Sequence, residues 1–159
     1  MEFNYNDGGR KDAGYKGDAG DCVCRSIAIV TGKPYKEVYD SLNQISKEIG
    51  HWHVHRLEKT SYGNTYQKKS SARTGVHKEV YQKYLKSLGY QWIPTMGIGT
   101  GCKVHLKPDE LPAGRLIVRV SKHLTAVIDG VLNDTWDCSR EGKRCVYGYF
   151  VKNNLVESK

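Results

Sequence analysis

Asp129-Gly130 stands between two apolar, β-branched runs, 124–128 and 131–132. The tightest hairpin turns need φ > 0 at both central residues, which Asp and Gly tolerate, so this pair predicts a two-residue hairpin. The turn fixes a register. With Ile128 paired to Val131, Ala126 opposes Asn133, Thr125 opposes Asp134 and His123 opposes Trp136. Opposed residues share a face of the sheet and successive residues alternate between faces. His123, Thr125, Asp134 and Trp136 then line one side, with Asp134 the diagonal neighbour of His123, about 7 Å away at Cα. Asp137 opposes Lys122 on the other side, and a slip of one residue would exchange the two carboxylates.

Upstream of this hairpin the pattern is helical. Residues 1–21 contain five glycines and four aspartates and read as an extended arm with no regular element. The stretch 23–31 is apolar around most of a helix circumference, so it predicts a central buried helix, with Asp21 as N-cap and Gly32 as its stop. Pro34 opens a second helix, in which Tyr35, Val38, Tyr39, Leu42 and Ile45 recur at helical spacing. The stretch 50–75 lacks periodicity and reads as a long loop with short pieces of structure. A third helix is expected over about 76–88, with Val80, Tyr81, Tyr84, Leu85 and Leu88 as its stripe and Gly89 after it. Strands follow near 115–120, 123–128, 131–136 and 144–151. Helices first and antiparallel strands after give one α+β domain over residues 1–159: an arm (1–21), a helical part (22–90) and a sheet part (91–159).

The 159 residues carry 25 Lys and Arg against 17 Asp and Glu, a formal net charge of +8. That balance suits an acidic partner, either nucleic acid or an acidic protein surface. The stretch 56–86 interleaves lysines and arginines with Tyr62, Tyr66, Tyr81 and Tyr84, a composition compatible with nucleic-acid binding. No run has the length of a membrane span, and the polar N-terminal stretch lacks the apolar core of a signal peptide. Cytoplasmic residence and no membrane partner are the expectations. Five cysteines, an odd number with no secretion signal, argue against a disulfide framework.

Cys22 opens the first helix, in Gly20-Asp21-Cys22-Val23-Cys24-Arg25. The thiolate is the reactive form of cysteine, and both a helix N-terminus and a neighbouring imidazole favour it. Cys24, two residues on, points about 200° away on a helix and reads as a small buried hydrophobe. The spacing nominates Cys22 as nucleophile, His123 as its base and Asp134 as the carboxylate that orients the imidazole.

With these residues in that order, the chain resembles the papain-like cysteine peptidases. It looks most similar to small phage and bacterial members such as the bacteriocin-processing peptidases. The matching pieces are 20–28 on the nucleophile helix and His123-Leu124-Thr125-Ala126-Val127-Ile128-Asp129-Gly130 leading to Asp134-Thr135-Trp136. The resemblance implies a papain-like fold, the nucleophile helix packed on a C-terminal antiparallel sheet. It implies a peptide or isopeptide bond as target, a protein or peptide substrate and no cofactor, in the bacterial cytoplasm or, for a phage gene, that of the host. It covers the two ends of the domain and leaves roughly 50–110 unplaced. The family's glutamine shortly before the cysteine is missing, since no Gln precedes Cys22. Lys16, six residues upstream, stands in as candidate oxyanion donor beside the Cys22 backbone N–H. Acyl transfer of transglutaminase or amidase type fits the same residues. Outside enzymes, the alternative is a basic module binding nucleic acid or protein on the same scaffold.

Other constellations carry less. His51, His53 and His55 would share one face of a strand, which reads as a wet surface strand rather than a metal site. Cys102, His105, Cys138 and Cys145 lack finger spacing for zinc. Gly97, Gly99 and Gly101 punctuate a loop with no strand–loop–helix context for phosphate.

Overall fold

In the computed structural model Ile128 pairs with Val131, Val127 with Leu132 and Ala126 with Asn133, the register that the Asp-Gly turn predicts. Asp129 and Gly130 take φ of 48° and 79°. Asp129 also exchanges hydrogen bonds with the Gly114 backbone, at 2.8 and 2.9 Å, which ties the turn to the strand before it. The structure describes residues 1–17, 20–53, 57–59, 65–67 and 70–153.

Three helices are described: α1 (Cys22–Thr31), α2 (Tyr35–His53) and α3 (Lys78–Ser87). They accompany β1 (Glu2–Tyr5), β2 (Leu57–Lys59), β3 (Thr65–Gln67), β4 (Tyr90–Pro94), β5 (Arg115–Val120), β6 (His123–Ile128), β7 (Val131–Asp134) and β8 (Gly148–Lys152). Six strands form one mixed sheet in the order β1-β7-β6-β5-β8-β4, and β2 and β3 form a separate two-stranded sheet. The fold is α+β. Among the described residues no helix is long and apolar enough to cross a membrane.

Side-chain alternation along β6 divides the core in two. Leu124 and Ala126 join Ile27, Val38, Leu42, Val80, Leu85 and Phe150 in the cluster shared with the helices. Val127 joins Leu116, Val118, Leu132, Leu106 and Val146 in a second cluster. Helix α1 is buried from Val23 to Val30, including Arg25 and Ser26, as a central element apolar around most of its circumference must be. Its C-terminal carbonyls on Ile29 and Val30 accept hydrogen bonds from the Arg115 guanidinium at 2.6 and 2.7 Å, a cation placed at the negative end of the helix dipole.

The arm is not structureless. Residues 2–5 precede the first glycine, and β1 pairs in parallel with β7, Tyr5 opposite Asp134. Asn4 Nδ2 donates to Asn133 Oδ1 at 2.8 Å, which locks the pairing from the side-chain side. The sheet is therefore mixed rather than antiparallel throughout. The stretch 50–75, expected as a long loop with short pieces of structure, contains the short antiparallel pair of β2 and β3. Helix α2 runs to His53, so His51 and His53 lie on its last turn and not on a strand; His55 lies outside the described residues. The last strand begins at Gly148 rather than near 144, because 144–146 are held by the segment 104–106 (Leu106 N–H to Arg144 O and Val146 N–H to Val104 O, both 2.8 Å).

That neighbouring also overturns the expectation about cysteines. Cys102 and Cys145 form a disulfide, with Cα atoms 5.8 Å apart, while Cys22, Cys24 and Cys138 are free thiols. Two irregular segments brought side by side make this link, which counting cysteines does not reveal. It also consumes two of the four residues weighed as zinc ligands. Denatured without reductant, the chain should take up three alkyl groups by mass spectrometry, and five after reduction. Uptake of five in both cases would contradict the link.

Packing between β4 and β8 makes a second prediction. A Cβ on Gly148 would collide with the Trp92 ring and come within 2.8 Å of the Ile93 carbonyl oxygen. Overpacking of this kind costs about 1–3 kcal/mol. Gly148→Ala should lower the urea midpoint by a corresponding amount, and an unchanged midpoint would show that Trp92 repacks freely.

Candidate active site

His123 is the first residue of β6, directly after the Ser121-Lys122 turn that joins it to β5. Its Nε2 and Asp134 Oδ2 are 2.7 Å apart, which leaves Nδ1 for another partner. Asp134 closes β7 and is almost fully buried. Its Oδ2 also accepts from Thr125 Oγ1, and its Oδ1 accepts from the Thr135 backbone N–H, both at 2.7 Å. Burial alone would favour the protonated acid. The hydrogen bonds from His123 and Thr125, the imidazolium charge and the Thr135 N–H outweigh it and hold the carboxyl below its ordinary range. Trp136, half exposed, packs its ring 5.3 Å from that of His123 and covers the outer side of the pair. Asp137, the rejected carboxylate, accepts from the Ser139 N–H and Oγ and shapes its own turn.

Cys22 is the first residue of α1 and lines one cleft with His123. Burial pushes its thiol up. The His123 hydrogen bond and charge, the Leu124 backbone N–H and Arg25 act the other way and hold it below the ordinary thiol value. Conversely, burial pushes the His123 imidazole down, but Asp134, Cys138 and Cys22 together raise it to about 11. The sign is clear: between the lowered thiol value and about 11 the two groups favour a thiolate–imidazolium pair. Cys24 is the opposite case, fully buried and pushed up to about 12 by desolvation.

Asp21 sits at the N-cap position of α1 but makes no capping hydrogen bond with its side chain. Its carboxylate instead pairs with Arg25, accepts from Tyr35 Oη at 2.6 Å and lies 3.4 Å from Arg10 Nε. Two consequences follow. A negative charge one residue before the nucleophile is neutralised, and the first N–H groups of α1 are not claimed by that side chain. Arg25 also reaches Asp134 Oδ1 at 3.4 Å, so one guanidinium joins the residue before the nucleophile to the carboxylate behind the imidazole.

Lys16 is exposed and does not line the cleft; its carbonyl accepts from Arg73 Nη2 at 3.0 Å. The oxyanion role expected of it is therefore not supported, because the arm carries it along Arg73 instead. The residues that do line the cleft, about 470 Å³ in volume, include Gly20, Thr74, Val76, Lys78, Arg119 and Lys122. None of the last five announces itself in sequence, since α3 and the β5–β6 turn meet α1 only through the tertiary fold. Cys138 was likewise illegible. It is buried with its sulfur 4.0 Å from Asp134 Oδ2, and ligand atoms of His123, Asp134 and Cys138 lie within 4.8 Å of one another. A metal ion held there would have to displace the bonds from His123 and Thr125 to Asp134. No protein-family model, curated protein or solved structure matches the chain.

Proposed function

We propose that this protein is a cysteine-dependent hydrolase that cleaves a peptide or isopeptide bond at Cys22, in the manner of the papain-like peptidases it resembles. The observation that carries the reading is geometric: Cys22, first residue of α1, shares one cleft with His123, whose Nε2 lies 2.7 Å from the buried Asp134 carboxylate. The Cys22 thiolate attacks the carbonyl carbon, and the oxyanion faces the Cys22 backbone N–H at the positive end of α1. The imidazolium of His123 then protonates the departing amine, the C–N bond breaks and a thioester remains. Water gives a proton to His123 as it attacks the thioester, and the thiolate leaves with the carboxylic acid released. Asp134 keeps Nε2 protonated and Nδ1 directed at the sulfur. The same thioester passed to an amine would be acyl transfer. A cytoplasmic setting is part of this reading.

The test uses p-nitrophenyl acetate. One equivalent of nitrophenol should appear in a burst, with an acetyl group on Cys22 by mass spectrometry. His123→Ala should slow that burst about 10²–10⁴-fold, and Cys22→Ser should abolish it. Acetylation spread over other residues, or a burst indifferent to His123, would overturn the proposal.

A further inference from the structure

The cleft around Cys22 carries an unbalanced charge. Lys78 of α3, Arg119 of β5 and Lys122 of the β5–β6 turn line it, and among the described residues no carboxylate does. Among the described residues none of the three is paired with an Asp or Glu. Asp21, the chain neighbour of Cys22, is neutralised by Arg25, Arg10 and Tyr35. Glu79, the neighbour of Lys78, is exposed and outside the lining. Clefts lined by one sign of charge focus the field and gather ligands of the opposite sign.

Lys122 adds a second observation. It holds φ at 56°, a left-handed conformation that glycine or asparagine ordinarily fills. The turn places this long cationic side chain immediately before the imidazole, on the rim of the cleft. Arg119, half-buried, is close enough to Tyr81 on the cleft wall for its charge to act on that hydroxyl, and Glu79 acts there more weakly in the opposite sense.

Resting on the hydrolase reading of this same site, we infer that the cleft takes acidic peptide segments. Carboxylates on residues flanking the scissile bond would dock on Arg119 and Lys122 on the strand side and on Lys78 on the α3 side. A polynucleotide fits less well. Grooves for single strands combine a basic track with open aromatic faces for stacking, and Tyr81, the aromatic in this lining, is buried.

Two alkylating agents test the inference without any turnover. Iodoacetate carries a carboxylate and iodoacetamide is its neutral counterpart; both alkylate sulfur with loss of iodide. Their rate ratio at Cys22 cancels any change in the thiol itself. At low salt the ratio in the folded protein should exceed that in the urea-unfolded chain by about tenfold or more. It should fall toward the unfolded ratio at about 1 M salt, where the screening length is ~3 Å. The double variant Arg119→Gln, Lys122→Gln should lose most of the preference. Lys122→Gly separates charge from shape: relief of the left-handed conformation should raise the melting temperature while the ratio drops. Hexaglutamate should protect Cys22 from iodoacetamide where hexaglutamine does not. A folded ratio equal to the unfolded one would overturn the inference, as would protection by single-stranded DNA but not by hexaglutamate. A clear anion preference at a Cys22 that no ester acylates would sink the hydrolase reading alone. Acylation without the preference would sink this inference alone.

Discussion

Arg25→Met should destabilise the protein by about 3 kcal/mol, the low end of the cost of removing one partner from a buried ionic cluster, because Arg10 and Tyr35 still reach Asp21 and His123 and Thr125 still reach Asp134. Arg25 is 8% exposed and touches both Asp21 and Asp134. Methionine fills much of the same volume, so the loss reads on charge rather than on a cavity. Urea denaturation at neutral pH measures it. The pH dependence gives an independent check. The Asp134 carboxyl is held low in the folded state, so its contribution is present above the unfolded carboxylate value, about 3.9, and is lost as pH falls through the folded one. Without Arg25 that folded value rises and acid unfolding should begin at higher pH. A loss below about 1 kcal/mol, with acid unfolding unmoved, would show that the guanidinium is dispensable to the cluster.

His123→Ala should have the largest effect on reactivity. In the native protein the thiol of Cys22 is held low against the opposing effect of burial, and His123 heads the influences that lower it. With the ring gone, burial is left against the Leu124 N–H and Arg25, and the thiol value should rise. Iodoacetamide labelling of Cys22 followed against pH shows this directly. Labelling declines as pH falls through the thiol value, so the whole curve should move to higher pH in the variant. Below that value, each unit of movement costs about tenfold in thiolate. Asp134→Asn should act in the same direction more weakly, since it removes the charge that helps raise His123 to about 11 while leaving the ring in place. Superimposable curves for the native protein and His123→Ala would show that the two side chains are not coupled.

What the sequence revealed here was local or periodic. Asp129-Gly130 sets a register that carries His123, Thr125 and Asp134 to one face without any long-range information, and α1 follows from nine residues of which six are apolar. Other features depend on meetings between distant segments. The pairing of Glu2–Tyr5 with β7 needs an open sheet edge that only the completed hairpin provides. Asp21 looks like a cap by position, yet its carboxylate finds Arg25, Tyr35 and Arg10, a stronger set of partners than one backbone N–H. Cys102 and Cys145 lie 43 residues apart and become neighbours only once 104–106 lies against 144–146. Lys16 lies six residues before Cys22 along the chain, and that distance says nothing about which way a glycine-rich arm turns.

The division of the core at β6 has a consequence for how the sulfur and the ring stay together. The nucleophile is mounted on the helical layer, whereas the imidazole and its carboxylate are carried by β6 and β7 of the sheet. Their separation is thus a thickness, set by how closely α1 seats on Ala126 and Leu124. Chemistry at the cleft is in this sense geared to the fit of apolar groups that never meet a substrate. A fault in that seating would be felt first as a slower reaction, before it registered as a lost fold.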